Sequence, residues 1–291
     1  MKKILIISDG KPGHLNQSIA FAKIKEVDYD ILRVDFKKKV FKAFSYFFDK
    51  FGFYSDFFFE NYEKLDFTVY DAVVSTGSGT YYFNKFIAKK YNKKSIALML
   101  PRSYRYDNFY FILAQKHDRP PMLSNIITIP LNLSYPNILG ILEKNSDKKS
   151  VGIIIGGNND VFSMDRLLIE EKLDYIFENY KDYEKYITTS RRTPEDIEEL
   201  IEKYNFDYKL IYSQNPSINP IGDFINICDE FFITIDSTSM LSEVRANSDA
   251  KINIVELYPK KEDTKYHKLA KIVDNIKQRV DFRKLLQKVE I

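Results

Sequence analysis

The chain alternates short, uninterrupted apolar runs with stretches in which apolar residues recur every three or four positions. Residues 3–8 (KILIIS) read as a buried strand and 14–25 (HLNQSIAFAKIK) as the helix after it. Runs at 29–36 and 70–77 predict further strands, 80–91 a helix, and 94–100 and 125–130 two more strands. Continuous apolar strands separated by helices predict a parallel sheet covered on both faces. Residues 145–150 (NSDKKS) are polar and charged, which marks a linker. The pattern then restarts, with strands at 151–157, 184–190, 208–213, 230–235 and 252–257, helices at 164–180 and 193–204, and a helical tail, one helix or two, from about 266. The helix at 193 has strong start signals: Thr193 at the cap, Pro194 at the first helical position, Glu195 and Asp196 in the first turn. The expected fold class is therefore α/β, with two successive Rossmann-like, doubly wound domains at 1–145 and 146–265. The tail, 266–291, is expected to pack back on the first domain.

Composition narrows the function classes. Lys and Arg (44) nearly balance Asp and Glu (41), so a net charge of +3 gives no general case for nucleic-acid binding. The single cysteine, Cys228, excludes an internal disulfide and a cysteine-rich zinc site, and fits a cytoplasmic protein. No stretch approaches the roughly 20 apolar residues that span a bilayer. The apolar run of MKKILIIS is too short for a signal peptide. Without a G-x-S-x-G elbow, and with His117 and Asp118 adjacent rather than apart, a hydrolase reading lacks its nucleophile. No His or Cys spacing suggests a metal site.

Ligands of doubly wound sheets sit beyond the carboxyl ends of strands, so the loops after strands carry the candidate chemistry. The first is 8–18 (SDGKPGHLNQS). There Gly10 and Gly13 allow a substrate to approach closely. His14 falls at a helix N-terminus, where the dipole favours a neutral ring able to accept a proton, unless it merely caps the turn. A second Gly/Ser loop runs over 73–80, and His117 and Asp118 stand in a third, 115–121. In the second half, Gly156 and Gly157 follow a strand, where their amides can meet a phosphate. Ser190, Arg191 and Arg192 precede a helix, and two adjacent guanidiniums there call for an anion or a carboxylate. Residues 234–244 (TIDSTSMLSEV) open another helix, either as an ordinary cap or as a helix mouth for a ligand. A nucleotide diphosphate suits these three loops together.

The motifs SDGKPGHLNQS, HD at 117–118, TTSRRTP and DSTSMLSE, in that order, resemble those of the mitochondrial-fission Elm family, across about residues 8 to 258. The family looks like the GT-B glycosyltransferases, whose two Rossmann-like domains face a cleft. The resemblance implies a metal-independent glycosyltransferase, with no cofactor. It would move a sugar from a nucleotide-sugar to a glycan or lipid-linked acceptor in cell-envelope synthesis. His14, or Asp9 beside it, would be the base. Gly10, Lys11, Gly13, Asn16, Gln17, Arg102, His117 and Asp118 would meet the acceptor. Gly156, Gly157, Asn158, Ser190, Arg191, Arg192 and Thr193, with Asp236, Ser237, Ser239 and Met240, would hold the donor, and Glu243 its ribose. GGNND departs from the family's expected Gly-Gly-Pro-Ser-like turn, which bears on Asn158. A fission-type adaptor and a nucleotide-sugar epimerase are the alternatives.

One segment stands outside this scheme. Residues 36–65 are crowded with phenylalanine and tyrosine behind a basic head of Lys37, Lys38, Lys39 and Lys42. Phe41, Phe44, Phe48 and Phe51 keep helical spacing, predicting one apolar face beside a lysine cluster. The expectation is peripheral binding to an anionic membrane, on its inner face.

Overall fold

The computed structural model describes residues 2–60, 62–145 and 147–291; Met1, Asn61 and Ser146, the last within the expected linker, lie outside the described residues. The chain divides into two compact units, Met1–Tyr135 with Asp281–Ile291, and Pro136–Val280. The first runs β1 (Lys3–Ser8), α1 (Pro12–Lys25), β2 (Asp28–Arg33), β3 (Asp35–Phe36), α2 (Lys39–Lys50), β4 (Phe59–Glu60), β5 (Ala72–Thr76), α3 (Tyr81–Tyr91), β6 (Lys94–Leu98), β7 (Phe111–Gln115) and β8 (Ile126–Ile129). Six of these strands form one parallel sheet in the order β2-β1-β5-β6-β7-β8, while β3 and β4 pair antiparallel beside it.

The second unit runs β9 (Ser150–Ile154), β10 (Phe162–Ser163), α4 (Arg166–Asn179), β11 (Glu184–Thr188), α5 (Glu195–Ile201), β12 (Tyr208–Leu210), α6 (Ile221–Ile227), β13 (Glu230–Thr234), α7 (Thr238–Asn247), β14 (Lys251–Val255), β15 (Tyr258–Pro259) and α8 (Lys265–Asn275). Its five-stranded parallel sheet has the order β12-β11-β9-β13-β14. In both units the first strand lies inside the sheet and the chain winds away from it in both directions. The strand order therefore reverses beside β1, against β5, and beside β9, against β13. Ile4, Leu5, Ile6 and Ile7 of β1, like Val151, Ile153 and Ile154 of β9, are buried. A strand covered on both faces needs apolar residues at every position, which is why these runs read as uninterrupted.

Several boundaries differ from the sequence expectation. The units part at 135 and 136 rather than 145 and 146. The tail splits: α8 belongs to the second unit, and only Asp281–Ile291, with α9 (Phe282–Leu285), joins the first. There Phe282, Leu286, Val289 and Ile291 are buried, and the Lys25 Nζ donates to the Leu286 carbonyl at 3.1 Å. Strand β7 and helix α6 were not expected: IGDFINI is too short to show a helical period, whereas FILAQ, an apolar run of the same length as β5 and β6, has no place in the sequence expectation. Helix α5 begins at Glu195 with Pro194 at its cap, since the Thr193 hydroxyl turns away to another loop.

Candidate functional site

In the first unit the loops after β1 and β5 meet where the strand order reverses. Asp9 follows β1, and His14 stands in the first turn of α1, its Nδ1 at 3.1 Å from both Asp9 carboxylate oxygens. Asp9 thus engages the ring through Nδ1 and fixes its orientation. The loop reaches this shape through Gly10, at φ +75°. Across the gap, Gly77 (φ +91°) lies against the imidazole so closely that a Cβ would fall 2.4 Å from its Cε1. Gly79 packs on Asp9. These two glycines were read only as a Gly/Ser loop; the role of Gly77 depends on the His14 ring and that of Gly79 on the Asp9 side chain, both remote in sequence, which no local pattern reports. Burial works to raise the Asp9 carboxyl, but the His14 hydrogen bond and charge, with Lys11 at 3.3 Å, outweigh it and hold the group below its ordinary range.

The other residues expected to meet an acceptor divide. Lys11 and Asn16 are exposed at the start of α1, and the carbonyl of Gly13 accepts from Gln17 at 3.2 Å. Buried Gln17 in turn accepts from Gln115 at the end of β7, at 3.3 Å. Arg102 and Asp118 pair with each other at 2.9 Å, at the ends of β6 and β7, and His117 shares the Asp118 turn. Among the described residues, neither Arg102 nor Asp118 bonds to the Asp9–His14 pair. The buried Tyr81 hydroxyl donates to the Leu98 carbonyl at 3.0 Å; burial pushes it up, and Asp118 and Asp9 add to that.

In the second unit, Asp236 is the hub. Its side chain is 0% exposed. It accepts from the Thr234 hydroxyl at 2.6 Å, the Gly157 amide at 2.9 Å and the Arg192 guanidinium at 2.7 Å. Arg192 also reaches the carbonyls of Gly157 and Asn158, both at 3.3 Å. Thr193 donates to the Gly156 carbonyl at 2.5 Å and accepts from the Ser190 amide at 2.8 Å, while the Ser190 hydroxyl accepts from the Arg192 amide. Loops after β9, β11 and β13 are thereby tied into one block at the second reversal point.

This block corrects three expectations. Gly156 and Gly157 do not present free amides, since both donate within the protein, to Thr234 and Asp236. They are glycine because a Cβ would fall 2.1 Å from Asp236 Oδ1 and 1.9 Å from the Arg192 carbonyl oxygen. Arg192 is already neutralised by a carboxylate and is not free to clamp a diphosphate. Asn158 shapes its turn, accepting from the Met164 amide at 2.7 Å.

The polar groups not used inside this block lie at its rim. Arg191 is exposed, and its guanidinium takes no hydrogen bond or ion pair from the described residues. Ser237 caps α7 by accepting from the Met240 amide at 3.3 Å. The amides of Thr238 and Ser239, in the first turn of α7, have no acceptor among the described residues, and Ser239 is exposed. Half-buried Glu243, further along α7, has a carboxyl with no partner among the described residues; desolvation pushes it up to about 7. Tyr266 of α8, which the sequence did not single out, feels both Arg192 and Asp236. Among the described residues, no group of three or more His, Cys, Asp or Glu is placed to hold a metal ion, and no helix is long and apolar enough to cross a membrane.

A family model, mitochondrial fission ELM1, matches residues 12–290. The chain belongs to the mitochondrial fission ELM1 family. No curated protein matches it by sequence. Among solved structures, this ELM1-family chain is similar to one from Listeria monocytogenes described as a UDP-N-acetylglucosamine 2-epimerase, with 9% identity over 93% of this chain and 82% of that one and a TM-score of 0.55. It also matches the UDP-GlcNAc 2-epimerase of Neisseria meningitidis bound to UDP-GlcNAc (8% identity, 94% and 90% covered, TM-score 0.48). A third match is MurG of Acinetobacter baumannii (12% identity, 99% and 93% covered, TM-score 0.42). The chain has a GT-B-like α/β fold, with two Rossmann-like, doubly wound domains.

Proposed function

We propose that the protein is a glycosyltransferase that moves a sugar from a nucleotide-sugar to a hydroxyl of a glycan or lipid-linked acceptor. The observation that carries this reading is the Asp9–His14 pair at the reversal point of the first sheet, 3.1 Å apart. In the reaction, His14 Nε2 takes the acceptor hydroxyl proton as its oxygen bonds to the sugar C1. The bond from C1 to the phosphate oxygen breaks, and the nucleoside diphosphate leaves with the electron pair. Asp9 holds the ring and stabilises the imidazolium that forms. Within the second unit, the Thr238 and Ser239 amides at the positive end of α7, which have no acceptor among the described residues, suit the diphosphate of the nucleotide together with Arg191. Glu243 would take ribose hydroxyls. The description of the Listeria protein as a UDP-N-acetylglucosamine 2-epimerase adds analogy at the level of fold.

The test uses UDP, GDP and TDP in thermal-shift titrations, followed by release of nucleoside diphosphate from the matching sugar nucleotide, with and without a lipid extract as acceptor, in the presence of EDTA. A bound nucleotide at about 100 times its Kd raises stability by about 2.7 kcal/mol. Release should depend on the extract, and His14→Ala should lower its rate by roughly 10²- to 10⁴-fold. Epimerisation without acceptor, or no nucleotide stabilisation at all, would refute the reading.

A further inference from the structure

We infer that the outer face of α2, with the basic cavity beside it, docks on the surface of an anionic lipid bilayer. The inference stands apart from the transfer reaction. Helix α2 exposes an unusual share of its apolar side chains. The residues it buries are Ser45 and Asp49, while Val40, Phe44, Phe47 and Phe51 are exposed, Phe51 by 71%. The loop after it adds Phe53 and Phe57 to the same exposed set. The sequence expectation of one Phe41–Phe44–Phe48–Phe51 face is thus divided: Phe41 and Phe48 pack on the core, and Phe44 and Phe51 do not.

The inward polar seam explains how the helix holds this orientation. Asp49 accepts from the Lys85 ammonium at 2.6 Å, the Tyr54 hydroxyl at 3.0 Å and the Arg105 amide at 2.6 Å. Ser45 donates to the Lys42 carbonyl at 2.7 Å and meets the Tyr104 hydroxyl at 2.9 Å. With these bonds satisfied inside, the rings outside are left to one another, as in the Phe47–Phe51 contact at 5.1 Å. A contiguous exposed aromatic patch marks an interaction surface.

The charges choose the partner. Lys37, Lys38, Lys39, Lys42 and Lys50 flank the rings, and none forms an ion pair with a described carboxylate. At the far end of α2, Phe51, Gly52 and Tyr54 border an open cavity of about 780 Å³ that Lys89, Lys93 and Lys94 also line. These three lysines are held by the backbone carbonyls of Gly52, Thr68 and Glu290, not by carboxylates, so their charge is not cancelled. Rings that enter the acyl boundary beside cations that meet phosphate headgroups match a bilayer carrying negative charge. A second copy is disfavoured, because a two-fold contact sets the same patch against itself, lysines facing lysines.

The test is co-sedimentation of the full chain, without nucleotide, with vesicles of equal parts phosphatidylcholine and phosphatidylglycerol and with vesicles of phosphatidylcholine alone. The protein should pellet with the first at low salt, be released by added salt, and stay out of the second. Lys37→Glu, Lys38→Glu and Lys39→Glu together should lower partitioning on the order of 100-fold, at roughly fivefold per lysine. Phe47→Ser with Phe51→Ser should weaken binding at every salt concentration, and as these side chains are exposed the melting temperature should hold. Protein left in the supernatant with anionic vesicles at low salt overturns the inference. So does unchanged vesicle binding by the phenylalanine variant, or a dimer in sedimentation velocity that this variant dissociates.

Discussion

Adjacent arginines 191 and 192 should answer to different assays. Arg192→Ala removes the 2.7 Å pair with Asp236 and the bonds to the Gly157 and Asn158 carbonyls. Asp236, wholly buried, is left with the Thr234 hydroxyl and the Gly157 amide as donors. Breaking a buried pair from one side costs about 3–5 kcal/mol. Because 30% of the Arg192 side chain reaches solvent, the lower end of that range applies. In a unit of this size, about 3 kcal/mol lowers the melting temperature by roughly 6–12 °C. Arg191→Ala removes an exposed group with no partner among the described residues and should leave stability within about 0.5 kcal/mol. It should instead weaken the stabilising nucleoside diphosphate by about 1.5–3 kcal/mol, the worth of a hydrogen bond to a charged group. Urea unfolding followed by far-UV circular dichroism measures the first effect, and nucleotide titration of each variant the second. The reasoning is refuted if Arg192→Ala unfolds with the wild type, or if Arg191→Ala loses stability while nucleotide affinity holds.

Glu243 sets a pH dependence. Its carboxyl rises from 4.5 to about 7 on folding, so between those values the unfolded chain gives up its proton first and stability falls as pH rises. Glu243→Gln should change nothing below the ordinary glutamate range and stabilise by about 2 kcal/mol above neutrality, after discounting for partial exposure; equal effects in acid and base melts would contradict this. Lys85→Met strands the buried Asp49 carboxylate and should destabilise by about 3–5 kcal/mol. Adding Asp49→Leu should recover part of that loss, because the unpaired charge then disappears; a double variant no better than the single would argue against a buried ion pair.

The run of hydrophobic residues determined much of this protein by itself. Strands buried on both faces must be apolar throughout, and helices over them must repeat every three to four residues, so the two parallel sheets are legible without coordinates. The order of strands and loops likewise places the SDGKPGH, SRRTP and DSTSM segments at the carboxyl ends of strands. Helix α6 does not show itself, because seven residues carry too little of a helical period. Nor does the chain reveal which remote group completes a charge. Arg192 and Asp236 are 44 residues apart, Asp49 and Lys85 are 36 apart, and only the tertiary structure joins them. That joining decides the roles: it makes Arg192 a tie between loops, leaves Arg191 at the rim, and makes glycine obligatory at 77, 156 and 157 by filling the space a Cβ would need. It also leaves Phe44 and Phe47 of α2 facing outward while Phe41 and Phe48 pack on the core, since Ser45 and Asp49 take buried positions on the inner face.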